Sequence, residues 1–102
     1  MDNEKANRIQ IANIAVPATT ETPWALPKGC VWLTLQCRSA VDVRIAFEAG
    51  QTTDRYLTLK AGTSWDEHDL DIRERQPIYF YAASAVVVEA FLGIYEEVTN
   101  AD

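Results

Sequence analysis

Apolar and polar positions alternate with a period of two along most of this chain, and no segment carries a competing helical period. The strongest instance is Pro77 to Glu97, PIYFYAASAVVVEAFLGIYEE. Ile78, Phe80 and Ala82 alternate there with Tyr79, Tyr81 and Ala83. Beyond the small residues Ala82 to Ala85, Val86, Val88, Ala90, Leu92 and Ile94 alternate with Val87, Glu89, Phe91, Gly93 and Tyr95. The pattern predicts two strands joined by a tight turn. The second strand is apolar on both faces, so it is expected at the centre of a sheet and covered on two sides.

Cys30 to Arg38, CVWLTLQCR, alternates as cleanly, with Val31, Leu33, Leu35 and Cys37 on one face and Trp32, Thr34, Gln36 and Arg38 on the other. Ser39-Ala40 separates it from Val41 to Glu48, in which Val41, Val43, Ile45 and Phe47 point inward. Two alternating runs with so short a gap predict an antiparallel hairpin. Tyr56 to Lys60 is a further short strand with Leu57 and Leu59 inward, and Trp65 to Ile72 is a weak strand or an irregular crossing.

The N-terminal part is looser. Ile9 and Ile11 begin a β-like run, but Ile14 and Val16 have the opposite parity, which suggests a bulge or a broken strand. Pro17 to Pro27 holds three prolines, which fix φ and remove donors, so an extended, sparsely laddered piece is expected. Residues 1–28 are therefore read as an extended N-terminal arm or lead-in strand, residues 29–97 as the folded domain, and 98–102 as a disordered tail. The sum is an all-β fold: an antiparallel two-sheet β-sandwich, jelly-roll-like, of seven or eight short strands.

Composition narrows the function. A chain of 102 residues makes one domain. Its net charge of −6, with 9 basic residues scattered among 15 acids, disfavours nucleic acid and anionic membrane as partners. No apolar stretch is long enough to span a bilayer, and the acidic start lacks the form of a secretory signal, so a cytoplasmic product is expected. Cys30 and Cys37 lie roughly 23 Å apart on one strand at ~3.3 Å per residue, on opposite faces by parity, and read as free apolar residues.

Candidate chemistry is sparse. His68, the only histidine, lies among Asp66, Glu67, Asp69 and Asp71, but alternation splits those acids between two faces and their spacing fits no standard metal site. The stretch reads as a solvated acidic edge. No nucleophile elbow surrounds a serine and no glycine-rich loop is present. The chain is thus expected to be no enzyme and to need no cofactor. Trp24, Trp32, Trp65, Tyr79, Tyr81 and Tyr95 are the candidate interface residues, since they fall opposite the aliphatic rows or near turns. They are core beneath the N-terminal arm, a subunit interface, or a platform for sugar.

The second half, LTLKAGTSWDEHDLDIRERQPIYFYAASAVVVEAFLGIYEE, resembles small virion structural proteins of tailed bacteriophages in its order of strand, glycine turn at Ala61-Gly62, polar crossing and two closing strands. The resemblance implies a sandwich or jelly-roll module that decorates or cements a capsid. It would form a homo-oligomer, with a trimer favoured, and bind the major capsid protein or other virion proteins. A neck or tail subunit is the alternative within the virion, and a small carbohydrate-binding module the alternative outside it. The resemblance carries no functional residues over. It places the product in the virion after synthesis in the host cytoplasm.

Overall fold

The computed structural model describes residues 5–96. Eight strands follow in order: β1 (Arg8–Val16), β2 (Thr22–Leu26), β3 (Cys30–Cys37), β4 (Val43–Ala46), β5 (Leu57–Leu59), β6 (Ser64–Glu67), β7 (Gln76–Tyr81) and β8 (Val86–Ile94), with one 3-10 turn at Gln51–Thr53. Two four-stranded antiparallel sheets face each other, sheet A in the order β1-β8-β3-β6 and sheet B in the order β2-β7-β4-β5. This is the two-sheet sandwich expected from the alternation, in jelly-roll order.

The topology is that of one long hairpin rolled up. β1 pairs with β8, β2 with β7, β3 with β6 and β4 with β5, and the roll closes when β8 meets β3 and β7 meets β4. Both hairpins expected from short gaps are consequently absent. β3 and β4 lie in different sheets, as do β7 and β8. Ser39-Ala40 and Ala82–Ala85 carry the chain across the sandwich, and each strand satisfies its backbone groups on a partner distant in sequence.

Inward rows from both sheets make the core. Val16, Leu33, Leu35, Val88 and Leu92 of sheet A meet Val43, Ile45, Ile78 and Phe80 of sheet B, all buried. Within residues 8–26, β1 and β2 edge the two sheets and bring Ile14, Val16 and Leu26 into the core. Pro23 is tolerated because β2 is an edge strand. The expected tail, 98–102, lies outside the described residues.

Two local parities differ from expectation. β1 runs against β8 in unbroken one-to-one register from Arg8 to Val16, so no bulge occurs. Instead, its apolar residues change faces: Ile9 and Ile11 point out, Ile14 and Val16 in. The bulge falls in β3, between Cys30 and Trp32, where Val31 is the extra residue. It turns Cys30 to the same inner face as Cys37, not the opposite one. Both are free thiols, Cys30 buried and Cys37 half-buried, and burial pushes the Cys30 thiol up to about 11.

Two clamps close the ends of the roll. At its apex the Glu21 carboxylate, in the β1–β2 loop, accepts from Thr52 Oγ1 at 2.6 Å and from the Gly50 amide at 2.8 Å. These donors, Thr52 first, hold the Glu21 pKa below its usual value. At the open end Asn7 Nδ2 donates to the Glu96 carbonyl at 2.6 Å, and the Glu96 amide donates to Asn7 Oδ1 at 2.9 Å. Arg8 and Glu96 add an exposed ion pair at 2.8 Å.

Candidate interaction surface

β8 is central in its sheet, as its composition requires, but no strand or loop of the described chain covers its outer side, where only the Trp32 ring of the neighbouring strand lies over Gly93. β1 lies beside it, not over it. On the outer face the register aligns Ile9 with Gly93 and Trp32, and Ile11 with Phe91 and Thr34. Ile9 is 63% exposed, Ile11 67% and Phe91 45%. The Trp32 and Phe91 rings pack at 5.0 Å with planes tilted by 57°, a favourable edge-on geometry. The indole lies flat over Gly93, where an added Cβ would come within 2.4 Å of it. The glycine is what lets a tryptophan lie down on this sheet.

Polar groups rim the patch. Glu89 accepts from Gln36 Nε2 at 3.0 Å and from Arg38 Nε at 3.1 Å, and these bonds, Gln36 first, lower its pKa. Thr34 Oγ1 donates to Asp66 at 2.7 Å. Between rim and patch lies a shallow groove of about 320 Å³, bordered by Ile11, Thr34, Glu89 and Phe91. An apolar centre within a satisfied polar border is the composition of a protein-binding surface.

The patch adjoins an open sheet edge. Among the described residues four strands have a free edge, and three are blunted in the usual ways. β5 has three residues, β2 has five and contains Pro23, and β6 has four with Asp66 and Glu67 among them. β1 is nine residues long, RIQIANIAV, free of proline and uncharged after Arg8. In a chain of net charge −6, this is the edge best suited to accept another strand or sheet.

The six aromatic candidates do not gather on this surface. Only Trp32 belongs to it, with Tyr95 at its end, 46% exposed. Trp24 and Trp65 occupy inward positions, in register with Ile78 and Leu35, and pack half-buried against the core. Tyr79 and Tyr81 lie on the outer face of sheet B, where the Arg44 guanidinium stands 5.4 Å from the Tyr81 ring and 4.6 Å from that of Tyr56. Of the six candidate rings, Arg44 thus stacks on that of Tyr81. Ile9, Ile11 and Phe91 are absent from the six. The signal for them is the parity change in β1, which a bulge explains equally well from the sequence.

His68, Asp69 and Asp71 are exposed on the β6–β7 crossing. Among the described residues no group of three or more His, Cys, Asp or Glu side chains is placed to hold a metal ion.

No known protein family matches the chain by sequence, and no curated protein does. Solved structures of similar strand arrangement include a de novo designed double-stranded β-helix, 15% identical over 82% of this chain and 96% of that one, with a TM-score of 0.48. A second is the Yersinia pseudotuberculosis-derived mitogen, 7% identical over 93% and 92%, TM-score 0.49. A third is a Bacillus endospore appendage protein that forms disulfide-linked pili, 14% identical over 94% and 96%, TM-score 0.43. Likenesses this loose carry no function across.

Proposed function

We propose that this protein is a structural module that joins other protein subunits through the outer face of sheet A and the free edge of β1, and that it serves as a decoration protein on the shell of a tailed phage. The observation that carries the binding role is the long, uncharged, proline-free edge of β1 beside exposed Ile9, Ile11 and Phe91. The virion setting is supported by the resemblance of the second half to phage structural proteins. Such a protein works by mass action. Each copy that binds only the closed shell stabilises it by RT ln(1 + [L]/Kd), about 2.7 kcal/mol when the free protein stands at a hundred times Kd.

The test is solution mass by light scattering, together with sedimentation of the protein with empty phage shells. The full chain is expected to form trimers and to pellet with shells. Ile11→Lys is expected to lose both while its circular dichroism stays that of a folded β protein, because the residue is exposed. Rings of six or twelve would move the assignment to the neck or tail. A monomer at all concentrations, indifferent to shells, would overturn the proposal.

A further inference from the structure

The two sheets part below the β6–β7 crossing and leave a cleft of about 220 Å³. It lies at the opposite edge of sheet A from β1, so its chemistry is independent of the surface that β1 and β8 present. Trp65 and Glu67 enter it from inward positions of β6, in register with Leu35 and Leu33. Phe47, just beyond β4, supplies a second ring, its centroid 6.1 Å from that of Trp65 and its plane tilted by 60°. Leu33, Leu70 and Ile72 line the remainder.

Glu67 is the odd member of this group. The outward acids of the 66–71 stretch are exposed, whereas Glu67 is half-buried on the inner side of its strand. Its Oε2 accepts from the Trp65 indole N–H at 3.1 Å, and the carboxylate takes part in none of the ion pairs among the described residues. The indole N–H meets one carboxylate oxygen, and the other accepts no hydrogen bond among the described residues, so it is open to a cation. Aromatic ring faces are electronegative and attract cations too. A small, mostly apolar cavity with one convergent charged group has the make-up of a ligand site. The aliphatic walls exclude a strongly hydrated inorganic ion, since they offer nothing to replace its water.

We propose that this cleft binds a small organic ammonium ion. The positive charge rests between the Glu67 carboxylate and the rings of Trp65 and Phe47, and the alkyl groups lie against Leu70 and Ile72. The volume admits a compact head such as trimethylammonium.

The test is a titration of the full chain followed by amide and indole NMR shifts, with choline as probe and 3,3-dimethylbutan-1-ol as its uncharged isostere. Choline is expected to saturate at about millimolar concentration, the affinity class of a very small ligand. Shifts should centre on the Trp65 indole and residues 65–72, and the alcohol should bind at least tenfold more weakly. Glu67→Gln should weaken choline at least fivefold and leave the alcohol unchanged, and Phe47→Leu, which keeps apolar bulk, should do the same. Equal binding of choline and the alcohol would overturn the proposal, as would choline binding indifferent to Glu67→Gln. So would the lack of any saturable shift at Trp65 with choline at about 50 mM, a concentration far above that expected.

Discussion

Gly93 and Trp32 show how a single hydrogen in place of a side chain shapes the outer face. With an alanine at 93, its Cβ would approach the indole to 2.4 Å, and the ring must swing off the sheet and away from Phe91. Gly93→Ala should therefore cost about 1 to 3 kcal/mol in urea unfolding, the usual range for overpacking. In a Trp32→Ala background the same change should cost far less, because the three atoms nearest the added Cβ all belong to that ring. Gly29 is held for a different reason. Its φ is +89°, and a Cβ there would lie 2.6 Å from the Tyr95 carbonyl oxygen, so both backbone and space forbid a side chain.

Glu21 acts at the other end of the roll. Thr52 is 2% exposed, and its hydroxyl donates to the Glu21 carboxylate. Glu21→Ala leaves that buried hydroxyl without its acceptor and should destabilise the protein by about 1 to 3 kcal/mol at neutral pH. The carboxyl pKa is lowered in the fold from 4.5. The stabilisation is therefore present in full above that value and is lost as the pH falls through the lower, folded one. Urea midpoints of wild type and variant should thus converge in acid, and a gap that stays constant with pH would rule out the carboxylate as its source.

The strands were legible in the sequence because burial of one sheet face writes a period of two. β3, β7 and β8 could be placed to within a residue or two by alternation alone. Their partners could not. Short gaps favour hairpins between neighbours, yet here Ser39-Ala40 and Ala82–Ala85 span the sandwich, and β7 finds β2 and β4 while β8 finds β1 and β3. Pairing is decided by which inward rows close a common core, and that information is spread over the whole chain. The interaction surface was hidden in the same way. Ile9 and Ile11 look like core residues out of step until the unbroken β1–β8 register shows that they face outward. β1 is none the less part of the fold, since Ile14 and Val16 are buried. Removal of residues 1–26, which strips both β1 and β2, should abolish the cooperative thermal transition; a folded truncated monomer would show these strands to be dispensable.

A rolled hairpin pairs the strands farthest apart in sequence, so the molecule forms its decisive contacts late and folds on the slow, millisecond-to-second side for its size. The Asn7–Glu96 bonds that clamp the open end have another meaning for the molecule as a building block. They bring the two ends of the described chain together at one corner of the sandwich. A domain that enters and leaves through a single point can be spliced into a surface loop of a host protein without prising that loop apart. By the same geometry, a short peptide joining the ends would allow the chain to be opened elsewhere, and the exposed β7–β8 crossing at Ala83-Ser84 is the natural place for the new termini.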